Sequence, residues 1–73
     1  MTVVFDSEKF RAIRKERKYT QAKLAEAADT SIRYLRDMEK GRKTNPSAAI
    51  VCRLCAVLCV PMECVMSEEE GMV

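Results

Sequence analysis

Residues 21 to 40, QAKLAEAADTSIRYLRDMEK, constrain the fold of this chain more than any other stretch. Leu24, Ala25 and Ala28 stand at i, i+1 and i+4 and so share one face of a helix. Leu35 and Met38, at i and i+3, share a face of a second helix. Between them Asp29-Thr30-Ser31 offers a residue type that tolerates left-handed backbone, then two hydroxyls able to cap a new helix. Ala25 is small where two helix axes must cross closely. The other side of the second helix reads Ile32, Arg33, Arg36, Asp37 and Lys40, a stripe with two arginines and a lysine. The stretch therefore predicts two short helices around a sharp turn, the second turning a basic face outward.

A length of 73 residues suits one domain near the lower limit for a core without covalent staples. The four cysteines do not read as staples. Cys52, Cys55 and Cys59 fall at i, i+3 and i+7 of one predicted helix, which cannot easily bridge to itself. The start, MTVVFDSEKF, lacks the basic region and long apolar run of a secretory signal, and no stretch is long enough to span a membrane. The expectation is a cytoplasmic protein with free thiols, Cys52 and Cys55 acting as small buried hydrophobes. A thiol or metal site at Cys52-x-x-Cys55 is disfavoured, because the pair sits mid-helix beside the core face and the chain has no histidine. No cofactor is expected. Enzymatic activity has no support either: no glycine-rich phosphate loop is present, nor a carboxylate pair placed for acid–base work.

Charge is unevenly spread. Residues 1–60 carry all 13 Lys and Arg against 7 acids, whereas residues 61–73 carry 4 acids and no base. A basic body with an acidic tail suits a polyanionic ligand held away from one end.

Along the chain, Met1 to Phe5 reads as a short apolar lead-in. Asp6 caps a first helix, which makes Phe5 and Phe10 the two halves of a hydrophobic staple. Phe10 and Ile13 continue the inward face with Arg14 beside them, while Arg11, Lys15, Arg17 and Lys18 lie on the wet side. Thr20 caps the second helix, which runs to about Ala28. The third spans about Ile32 to Glu39 and stops at Gly41. A basic loop, Arg42-Lys43-Thr44-Asn45, leads to Pro46 and to Ser47, a plausible cap for a fourth helix from about Ala48 to Leu58. Its inward set is Val51, Leu54, Cys55 and Leu58. Cys59-Val60-Pro61 breaks it, a final turn follows over Met62 to Met66, and residues 67–73 form an acidic tail expected to fray. The expectation is a single all-α domain of five short helices over residues 1–73, with its core in residues 6–66.

This ordered set resembles the xenobiotic-response-element (Cro/C1-type, lambda-repressor-like) helix-turn-helix family. The marks are Arg14, Thr20-Gln21, Leu24-Ala25, Ser31, Leu35, Met38-Glu39, Gly41, Pro46-Ser47, and Leu58 with Val60, and together they cover about Phe10 to Met66 without a gap. Each alone is weak; their order and spacing are specific. The chain departs from the pattern at Asp29 and Cys59, where glycine is usual, and in the Ile32-Arg33 start of the third helix.

The resemblance implies a compact lambda-repressor-like fold and a structural salt bridge between Arg14 and Glu39. It implies sequence-specific binding of double-stranded DNA by a transcriptional regulator, a repressor by analogy, with the third helix in the major groove. The base-reading residues would be Ser31, Ile32, Arg33, Arg36 and Asp37. Arg33 and Arg36 suit guanine, Ile32 a thymine methyl, and Asp37 either accepts from a cytosine amino group or orients Arg33. Gln21, Tyr34, Lys40, Arg42, Lys43, Thr44 and Asn45 would contact phosphates, Tyr34 having a packed ring as its other reading. Lys15 and Lys18 read rather as a solvated face. A homodimer on two half-sites follows from the same analogy, with Val57, Met62, Cys64 and Val65 as its candidate seam, their other reading being a cap on the core. The alternative is a protein-interaction adaptor that keeps the helix-turn-helix core without reading DNA, against which the cationic stripe argues.

Overall fold

The computed structural model describes residues 2–42 and 46–69. Its element order is β1 (Thr2–Phe5), α1 (Ser7–Glu16), α2 (Gln21–Ala27), α3 (Ile32–Glu39), α4 (Ala48–Leu58), a 3₁₀ turn (Met62–Val65) and β2 (Met66–Glu69). The expected fifth helix is a 3₁₀ turn, so the described residues hold four α-helices. The expectation of an all-helical chain also misses a two-stranded antiparallel sheet. Thr2 pairs with Glu69, Val3 with Glu68, Val4 with Ser67 and Phe5 with Met66. Ser67 to Glu69, expected in the fraying tail, thus belong to a strand. Backbone groups at the two ends of the domain find one another because α1 and the 3₁₀ turn pack side by side.

Asp6 is the joint between sheet and helices. Its side chain accepts the Lys9 backbone N–H at 3.0 Å and so caps α1. Its other carboxylate oxygen accepts the Ser67 hydroxyl at 2.5 Å, and its own N–H donates to the Val65 carbonyl. The Ser67 hydroxyl, followed by the Lys9 N–H, holds the Asp6 carboxyl below its usual range. Beside it Phe5 and Phe10 form the expected staple, ring centroids 5.6 Å apart and tilted by 52°.

The core is built from the apolar stripes of all four helices. Phe10, Leu24, Leu35, Met38, Leu54 and Val65 are wholly buried, with Ala25, Ala28, Val51, Cys55 and Leu58 nearly so. Each large side chain so placed contributes roughly 1.5–3 kcal/mol relative to exposure. Val65 cannot serve a dimer seam from there. Cys52 corrects another expectation, since it is exposed, as are Cys59 and Cys64; Cys55 alone is buried. Burial pushes the Cys55 thiol up, with Cys52 and Cys64 adding to the effect, which disfavours the reactive thiolate.

All four helices close by one device. A residue in left-handed conformation follows the last turn: Lys18 (φ 62°), Asp29 (φ 55°), Gly41 (φ 76°) and Cys59 (φ 59°). The next N–H then reaches back across the terminus, Tyr19 to Arg14, Thr30 to Ala25, Arg42 to Asp37 and Val60 to Cys55, at 2.9–3.1 Å. This is the Schellman closure, and it satisfies carbonyls that the helix leaves without partners. Only Gly41 adopts it without a Cβ penalty.

Candidate nucleic-acid interface

The outward stripe of α3 is held from behind. Leu35 and Met38 are 0% exposed and anchor the helix to the core, while Arg33, Arg36 and Lys40 are exposed on the other side. At the entrance to α3, the Ser31 hydroxyl accepts the Tyr34 N–H at 3.0 Å. Ser31 thus caps the helix and remains exposed. The turn before it passes through Asp29, whose positive φ agrees with the expected left-handed turn.

The Arg14–Glu39 pair lies beneath this face. Arg14 Nε donates to Glu39 Oε2 at 2.5 Å and Nη2 to Oε1 at 3.0 Å, the side chains being 10% and 4% exposed. Arg14 Nη1 also donates to the Tyr19 carbonyl at 2.7 Å, so one guanidinium ties together α1, the α1–α2 turn and the end of α3. Gln21 joins the group, its Nε2 donating to Glu39 Oε1 at 3.2 Å. No local sequence pattern predicts this contact, which depends on how α2 and α3 pack. Every buried side-chain polar atom among the described residues has a partner, as a burial of this kind requires.

The remaining candidates divide. Ile32 is half-buried and packs partly against the core, leaving only a portion of its side chain outward. Asp37 does not pair with Arg33; it faces Arg42 at 3.9 Å, a long contact with the arginine 70% exposed, and such pairs add little stability. Tyr34 is half-buried, and its hydroxyl accepts the Ser47 N–H at 2.9 Å. The capping role expected of Ser47 is not realised, since its side chain makes no cap hydrogen bond; the Tyr34 hydroxyl satisfies only the Ser47 N–H itself. Lys43, Thr44 and Asn45 lie outside the described residues. The described residues contain no group of three or more Cys, Asp or Glu placed to hold a metal ion, and no helix long and apolar enough to cross a membrane.

Two short helices at a left-handed turn, the second anchored inward and cationic outward, define a helix-turn-helix protein. The helix-turn-helix family profile matches residues 10–63, and the chain belongs to this Cro/C1-type family. Over 62 residues it is 40% identical to the immunity repressor protein of Bacillus phage phi105, matching 85% of this chain and spanning only 42% of that repressor's length. It is also similar to the N-terminal DNA-binding domain of SinR from Bacillus subtilis, with a TM-score of 0.79, 31% identity, and coverage of 89% of this chain and 94% of that one. The crystal structure of SinR, the master regulator for biofilm formation, in complex with DNA matches with a TM-score of 0.76 and 33% identity, covering 80% of this chain and 95% of the other.

Proposed function

We propose that this chain is a sequence-specific double-stranded DNA-binding transcriptional regulator, acting as a repressor in the cytoplasm. The observation that carries the reading is the pair Arg33 and Arg36, exposed side by side on a helix whose other face is wholly buried. Such a helix can enter the major groove, ~12 Å wide, with guanidinium groups at the base edges. The likeness to SinR, which has been solved with DNA, supports this, as does the phage repressor.

Arg33 and Arg36 read guanine, and the outward part of Ile32 lies against a thymine methyl. Ser31 and Asp37 complete the base-facing set. Ser31 keeps a hydroxyl proton free to donate after capping, and Asp37 can accept from a cytosine amino group. Gln21, Tyr34, Lys40 and Arg42 position the backbone, together with Lys43, Thr44 and Asn45. One small domain, residues 1–73, would gain affinity by binding two half-sites as a homodimer through the half-buried Val57 and Met62 and the exposed Cys64.

Fluorescence anisotropy against duplex DNA at several salt concentrations tests the function. Binding whose affinity falls steeply with salt is expected, because Lys and Arg displace counterions from phosphates. Absence of binding at low salt would contradict the reading. Sedimentation of the free and DNA-bound protein tests the dimer, and a monomer in both states would remove it.

A further inference from the structure

The stripe of α3 does not stop at Lys40. It runs into an open dent between α1, the start of α2 and the end of α3, lined by Arg11, Arg14, Lys15, Gln21, Glu39 and Lys40. The only carboxylate lining it is Glu39, and Arg14 occupies both of its oxygens. What is left facing the opening is Arg11, Lys15 and Lys40, all exposed, and none forms an ion pair among the described residues. Gln21 has one amide hydrogen committed to Glu39, which leaves the second free to donate. The dent is therefore a donor-rich concavity of net positive charge, shaped for an anion.

From this we infer that α1 contributes to the DNA footprint, Arg11 and Lys15 gripping a backbone phosphate together with Lys40 and the Gln21 amide. Read from the sequence, Lys15 belonged to a merely solvated face; the fold places it beside two residues of the phosphate set. The distances agree. Arg33 and Lys40 are two turns apart, roughly 10 Å along the helix, which approaches the ~12 Å width of the groove. With Arg33 at the base edges, Lys40 and the dent meet the strand that borders the groove. Arg11 and Lys15, at i and i+4 on α1, close over it from the opposite side.

This inference rests on the DNA-binding reading, and the experiment separates the two. The salt dependence of binding to a short duplex of random sequence is measured for the full chain, for Arg11→Ala/Lys15→Ala, and for Arg53→Ala, which removes an exposed charge of α4 outside the dent. Thermal melting establishes that each variant is folded. The double variant should bind more weakly to every sequence, with a log–log salt slope shallower by about one, the one phosphate being lost, while Arg53→Ala leaves the slope unchanged. A slope unaltered in the double variant overturns the inference, as does a loss in Arg53→Ala of the same size per charge. Inorganic phosphate, titrated at constant ionic strength, is the small-anion arm. If the double substitution abolished its binding but left the DNA slope intact, the dent would be a small-anion site and the inference would fall. If the unaltered chain bound no duplex, the DNA reading itself would fail.

Discussion

Arg14 and Glu39, 25 residues apart in the chain, meet in a two-pronged ion pair at 2.5 and 3.0 Å that is almost closed to solvent. Its consequence is mechanical. The end of α3 is tied to α1, and through Gln21 to the start of α2, so the elements that frame the proposed DNA surface share one node. Glu39→Ala should destabilise the fold by roughly 3–5 kcal/mol in urea unfolding, because the Arg14 charge would remain buried without its partner. Replacing both residues by methionine should recover most of that loss, since an apolar pair of similar volume carries no desolvation penalty.

The four helix closures lead to an engineering prediction. At Gly41 an added Cβ would find room, its nearest neighbour being the Ser7 hydroxyl at 3.9 Å, so Gly41→Ala should lose roughly 0.5–1 kcal/mol, the backbone strain less the entropy that glycine costs on folding. Cys59 already carries that strain. Cys59→Gly should therefore stabilise the protein by about 0.5–1 kcal/mol after the entropy lost by glycine is set against the gain. Denaturant midpoints of the two variants measure both effects.

These closures also mark how far the sequence was legible. The spans of α3 and α4 could be read because their apolar periods are bracketed by clear breaks, Ser31 and Gly41 for α3, Pro46 and Pro61 for α4. Asp29 was readable as left-handed because Asp is a known occupant of such turns. Lys18 was not, since lysine carries no such signal. The ribbon escaped for a different reason. β1 is only four residues, Thr2 and the apolar Val3-Val4-Phe5 without alternation, and its partner strand lies some sixty residues away in an acidic segment that resembles a solvated tail. In the candidate site, the exposed arginines followed from helical period alone. The contacts of Gln21 to Glu39 and of Tyr34 to the Ser47 N–H depend on how helices pack, which no local pattern encodes.

Asp6 predicts an acid dependence of known sign. Its carboxyl is held below the ordinary value of 3.8 in the folded protein, so the unfolded chain binds the proton more tightly. The stabilisation is present in full above that ordinary value and is lost as pH falls through the lower, folded value. Asn also caps helices well, so Asp6→Asn should remain close to the parent at neutral pH and show a flatter decline between pH about 5 and about 2. Urea midpoints across that range compare the two, and parallel declines would mean that Asp6 carries no part of the linkage.

The reading face is the central claim, and selection of binding sites from a random DNA pool tests it most directly. The unaltered chain should enrich a defined motif that contains guanines. Arg33→Ala and Arg36→Ala should each relax the preference at a guanine position, with a loss of roughly 1–3 kcal/mol there and an unchanged melting temperature. Recovery of the same motif, at the same stringency, by both substituted proteins would contradict the account.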